Sequence, residues 1–210
     1  YVNHLLAQVG FVDEEHRLDP HAVKEIMLLS IGSNPRSIKR LVNNVSLIQI
    51  ITEENSENGQ TGDDEDKKMD PETEKILIFA LLCLQIAYPP IYSLLNKNPD
   101  FESWDEDLAR AETKQKEEDK EGVFKKDFKV AITSKDFDEE WEQAVYRFCH
   151  IYPEMRTKAT TISRCLSGLQ ELLQEGGKDN TLAITEMLEM IKLTSTGSQL
   201  KRAQHLSQRD

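Results

Sequence analysis

The feature that most limits what this chain can fold into is the run from Ile76 to Tyr88, which is apolar throughout except at Gln85. A helix that is apolar all round has no face for water and belongs at the centre of a fold. The run is too short to cross a bilayer, which takes about 20 residues. Asp70-Pro71 supplies its start: aspartate accepts from the open N–H groups of a first turn, and proline fits the first helical position. Pro89-Pro90 breaks or kinks it, and Ile91, Tyr92, Leu94 and Leu95 carry on a short apolar face.

The same start signal occurs earlier. Asp19-Pro20 opens a helix with Val23, Ile26, Met27 and Ser30 on one side, and Gly32 closes it. Ser33 or Asn34 then caps a further helix whose first residue is Pro35. At 100° per residue, Ile38, Leu41, Val42, Val45 and Ile48 share one face, and Arg36, Lys39, Arg40 and Asn43 share the opposite one. Ahead of both, Val2, Leu5, Leu6, Val9 and Phe11 suit a short helix ending near Gly10.

After the central run the signals weaken. Asn98-Pro99-Asp100 is a turn. Phe101, Trp104 and Leu108 predict a weak amphipathic helix that dissolves into a charged run, Asp105 to Glu121, of mixed sign, read as a solvated helix face or loop. Phe124, Phe128, Val130 and Ile132 fit a short strand or another helix. Trp141, Val145, Phe148 and Cys149 stripe a helix interrupted at Pro153. Ile162, Cys165, Leu166, Leu169 and Leu172 or Leu173 stripe the next, ended by Gly176-Gly177. Leu182, Ile184, Met187, Leu188 and Ile191 predict a last helix before a polar tail. The fold class read from this pattern is all-α: a small helical bundle and a second helical bundle joined by an acidic linker.

Composition enters through that linker. The net charge is −12, with 38% apolar and 30% charged residues. Residues 53–74 hold ten of the acids against Lys67 and Lys68. Residues 53–66 contain no apolar side chain and cannot repay the entropy of ordering, which predicts a disordered segment. The boundaries expected are 1–52, a linker at 53–69, a helical domain at 70–193 and a tail at 194–210. The length allows one modest core or two small ones. The negative balance argues against nucleic acid or an anionic membrane as the partner of the whole chain, while leaving room for a local basic site. Cys83, Cys149 and Cys165 are far apart, fit no zinc or disulfide spacing, and read as small buried hydrophobes in a reduced, cytoplasmic chain.

Enzyme signatures are missing. No Gly-x-x-x-x-Gly-Lys-Ser/Thr loop, dinucleotide glycine fingerprint, His-Glu-x-x-His or Gly-x-Ser-x-Gly occurs. His4, His16, His21, His150 and His205 are scattered. His16 and His21 lie near Asp13, Glu14, Glu15 and Asp19, where surface polarity is the better reading than a metal site. His150 beside Cys149 reads as packing, because neighbours in a helix do not face each other. The positive signal is the helix start at Arg36, where a pre-set arginine suits a phosphate. On local physics alone a capped helix with a solvated basic face is the better reading of it.

Asn34-Pro35-Arg36-Ser37-Ile38-Lys39-Arg40-Leu41-Val42-Asn43 resembles the NPR-x-[IL]-KR-[FL]-[LIV]-N signature in the lid of KAP-type P-loop NTPases. Tyr1 to Val9 is similar to the segment that precedes that lid, with His4 in place of the family's lysine and Gly10-Phe11 in place of its usual proline. The likeness covers Tyr1 to about Ile51. It implies that Arg36 is a sensor-type arginine reaching the γ-phosphate of ATP, flanked by Lys39 and Arg40. It further implies ATP and Mg held by an upstream P-loop core of the same polypeptide, with neither bound by this chain alone. Residues 70–193 would then couple the lid to a protein effector or a homo-oligomer, in phage defence by analogy with bacterial members. The other function expected of such a chain is that of a helical protein-interaction adaptor with no nucleotide chemistry. A third, a nucleic-acid surface built on the same three cations, is opposed by the net charge.

Overall fold

The structure, a computed structural model, describes residues 2–12, 18–57, 69–114, 137–175 and 181–192. Among these residues all regular structure is helical. The α-helices are α1 (Val2–Gln8), α2 (Pro20–Leu29), α3 (Pro35–Glu57), α4 (Pro71–Ala87), α5 (Pro89–Lys97), α6 (Glu106–Lys114), α7 (Glu140–Ile151), α8 (Ala159–Glu175) and α9 (181–192). Short 3-10 turns at Phe101–Ser103 and Arg156–Lys158 lead toward α6 and into α8.

The apolar run is the axis of the molecule. Every residue from Ile76 to Leu84 is buried, and α4 touches α2, α3, α5 and α8. A fully buried Leu, Ile or Phe contributes roughly 1.5–3 kcal/mol each, so this one helix anchors its neighbours. Gln85, the exception in the run, is only half-buried, and its side-chain oxygen accepts from the Asn44 amide of α3 at 3.4 Å. Pro89 ends α4 and opens α5 with one residue, Tyr88, between them. The Tyr88 hydroxyl donates to the Leu29 carbonyl at the end of α2 at 2.8 Å.

The start signals act as expected. Asp19 accepts from the His21 and Ala22 amides at 3.1 and 3.0 Å. Asp70 accepts from the Thr73 amide at 3.0 Å. The Gly32 amide reaches back to the Met27 carbonyl at 2.7 Å, and Gly32 has φ +59°, the left-handed turn that a side chain resists.

Several expectations need correction. The helix that carries Arg36 does not stop at residue 52; its backbone stays helical to Glu57. Glutamate is a good helix former, and the first strong breaker is Gly59. Met69, at the far end of the expected linker, is 7% exposed and belongs to the core. Of one core or two, the described residues form one: Leu6, Leu41 and Val45 lie in the same buried cluster as Leu77, Phe148, Leu166 and Ile191. The helices before and after the acidic segment are therefore packed as one body. The charged run does not simply dissolve a helix; α6 starts within it, at Glu106, capped by Asp105, whose carboxylate accepts from the Leu108 amide at 2.8 Å. In α9, Leu182 points outward and Ala183 takes the inner position. The remainder of the acidic segment, Phe124 to Ile132, Gly176-Gly177, His16, His205 and the tail lie outside the described residues.

Candidate phosphate-contacting face

Arg36, Lys39 and Arg40 stand on α3 as the 100° spacing requires. Behind them Ile38, Leu41, Val45 and Ile48 are at most 9% exposed, with Val42 half-buried. Arg36, Lys39, Arg40 and Asn43 are all exposed. Arg36 and Arg40 are one turn apart, a rise of about 6 Å, and Lys39 lies beside them at the neighbouring i+3 position. Among the described residues none of these three cations is in an ion pair. In a chain with twelve more acids than bases, an acid-free basic stripe on a fixed helix is the arrangement that retains attraction for an outside anion.

The stripe is held rigidly. Gly32 turns the chain out of α2, and Pro35 sets the first backbone angle of α3. Of the two cap candidates, the bond is made by Asn34, whose side-chain oxygen accepts from the Arg36 amide at 3.0 Å. This has a chemical consequence. Pro35 has no N–H, and the Arg36 N–H is already used, so the first turn offers little backbone to an anion. Attraction at this junction comes from the side chains, above all from guanidinium groups that meet phosphate oxygens in pairs.

The remaining candidates do not assemble with the stripe. His4 is exposed on α1, with its Nε2 3.3 Å from the Gln8 amide nitrogen. His21 is exposed and 3.9 Å from Glu25. His150 stacks on Tyr146 with ring centres 4.2 Å apart, and its Nδ1 meets the Tyr146 carbonyl at 3.0 Å. Among the described residues no group of three or more His, Cys, Asp or Glu side chains is placed to hold a metal ion. The three cysteines are free and buried, as their reading as small hydrophobes requires. Burial pushes the Cys149 and Cys165 thiols up to about 12 and raises Cys83 as well. Such thiols are not nucleophiles at neutral pH.

Comparison of the chain with protein-family models, curated proteins and solved structures finds no match.

Sequence reasoning overlooked two polar links inside the bundle. Arg147 of α7 is 7% exposed, and its Nη1 lies 2.7 Å from Glu106 Oε1 of α6. Glu142 of α7 accepts from the buried Ser163 hydroxyl of α8 at 2.7 Å and from the Asp138 and Glu139 amides at 2.9 and 3.1 Å. The first was open to discovery: Arg147 falls three residues after Ala144 and four before Ile151, inside the buried stripe of its helix. Nothing local marks Ser163, because its partner is 21 residues away.

Proposed function

We propose that the α2–α3 junction is the phosphate-contacting edge of a helical lid, with Arg36 as the sensor-type arginine and Lys39 and Arg40 beside it. On this reading the chain serves a KAP-like P-loop ATPase core supplied by the same polypeptide, and the helices beyond α3 couple the lid to an effector or partner. The supporting observation is the stripe itself: three exposed cations without an acid partner among the described residues, on a helix whose start is fixed by Gly32, Asn34 and Pro35 and whose back is buried. The donor set fits phosphate. It does not fit Mg, since the stripe carries no carboxylate, so a metal would be held by the core and not by this face. This chain's part is to place positive charge where a terminal phosphate gains negative charge, without supplying a nucleophile or base.

The competing reading, a helical adaptor with no nucleotide link, makes a different prediction about the gene. The lid reading expects the reading frame to continue upstream of Tyr1 into a Gly-x-x-x-x-Gly-Lys-Ser/Thr loop. An initiator codon immediately before Tyr1, with no coding sequence ahead of it, overturns the lid and leaves the adaptor.

A further inference from the structure

The outer face of α3 changes character along its length. With Arg36 as the origin and 100° per residue, Lys39, Arg40, Asn43, Leu47, Ile50 and positions 54 and 57 share an arc of about 100°. The backbone is helical through that whole stretch. In chain order the arc holds three cations, then Asn43, Leu47 and Ile50, then Glu54 and Glu57. The cations and Asn43 are exposed and Leu47 is half-buried. Ile50, at 45% exposure, is one of the few large apolar side chains that the described residues leave open to water. The inner face is committed to the core: Ile38, Leu41, Val45 and Ile48 are buried, and α1 and α4 pack on α3.

This order is self-complementary. A basic end, a neutral to apolar centre and an acidic end match themselves when one copy is turned end for end. A two-fold axis beside Leu47 sets Arg36 opposite Glu57 of the second copy, Lys39 and Arg40 opposite its Glu54, and Asn43 opposite its Ile50. Leu47 then lies beside its own counterpart, and the same pairs recur at the other end, as an isologous contact requires. A parallel pairing sets cation on cation and acid on acid, which repels. An anionic membrane suits the face poorly, because its acidic end is repelled and its apolar side chains are confined to the middle.

We infer that α3 is a self-pairing helix, through which two copies of the chain associate antiparallel along residues 36–57 and close Arg36, Lys39 and Arg40 to an outside phosphate. The contact is weak and reversible, since exposed ion pairs contribute little each and the apolar centre is short. The pairing does not rest on the lid reading: ATP turnover tests that reading, and self-association without nucleotide tests this one.

Sedimentation equilibrium of the full chain is the experiment. An ionic strength of about 0.1 M, with a Debye length of about 10 Å, screens the repulsion between two acidic chains more than it screens contact pairs. The parent is expected to dimerise with a Kd below about 1 mM. Two double reversals, Arg36→Glu with Arg40→Glu and Glu54→Arg with Glu57→Arg, each set like charges at both ends of the contact. Each is expected to raise the dimer Kd about tenfold or more, and an equimolar mixture of the two to return within about threefold of the parent, because opposite charges again face each other. A parent that stays monomeric up to about 1 mM refutes the pairing. So does a mixture that does not recover, and so does sensitivity to the Arg36 and Arg40 reversal alone, which assigns the stripe to an acidic partner of another kind. Should a reversal disturb the fold, Leu47→Cys decides. A short bis-maleimide is expected to join two copies at that position, the native thiols being buried, and the absence of a cross-linked dimer overturns the inference.

Discussion

The thiols of Cys83, Cys149 and Cys165 show what burial does to single residues in this protein. Each is buried where a thiolate is poorly solvated, and at Cys83 this outweighs a hydrogen bond with the Ser30 side chain, so each ionises well above the ordinary thiol range. In the unfolded chain these groups lose protons near pH 8.5, as free thiols do at about that value. Between there and about 12 the unfolded state holds fewer protons than the folded one. Stability is therefore full below the unfolded value and falls as pH rises through this window. Tyr88, which burial also pushes up to about 12, adds to the loss at the upper end. Thermal midpoints measured across the alkaline range should drop steadily, and Cys149→Ala should lessen the slope; a flat profile would contradict the burial of these thiols. Their hydrophobic character was legible from isolated spacing and absent motifs. The Glu142–Ser163 link was not, because a hydrogen bond between distant residues leaves no periodic trace in the chain.

Helix starts were the most readable elements. Asp19-Pro20, Asn34-Pro35 and Asp70-Pro71 each combine an acceptor side chain with a residue that lacks an N–H, and each begins a helix where expected. The cap at α4 matters most, since α4 touches four other helices. Asp70→Ala removes the acceptor for the Thr73 amide and should lower stability by about 1 kcal/mol in urea unfolding, with the slope unchanged. A variant as stable as the parent would show that tertiary packing alone sets the start of α4. Ends and weak helices were harder. α3 outran its apolar face because glutamate is a good helix former. α6 was hidden because it begins inside a charge run and shows few apolar residues, Leu108 and Ala109 among them, to the core. A charge run looks alike whether its partners are water or a buried arginine, and only the position of Arg147 on α7 separates the two.

At the scale of the molecule, the all-helical class followed from the periodicities, but the single core did not. An acidic, apolar-free stretch separates two sets of helices along the chain, and composition has no knowledge of contacts across it. Tyr88 to Leu29 and Asn44 to Gln85 tie the two sets together beside the shared apolar core. This shared core gives the basic stripe on α3 a firm mount, since the face behind Arg36, Lys39 and Arg40 packs against α4. The stripe was legible as a pattern; that its cations have no acid partner among the described residues, and that Asn34 takes the Arg36 N–H, required the three-dimensional structure. The central claim is that this stripe acts on a phosphate, and ATP turnover by the full-length polypeptide, with and without Arg36→Ala, tests it most directly. Arg36 is exposed and outside the core, so the thermal midpoint should not move, while turnover should fall by about 10²-fold or more, as it does when a group that stabilises developing charge is lost. Unchanged turnover in a variant that folds like the parent would contradict the account.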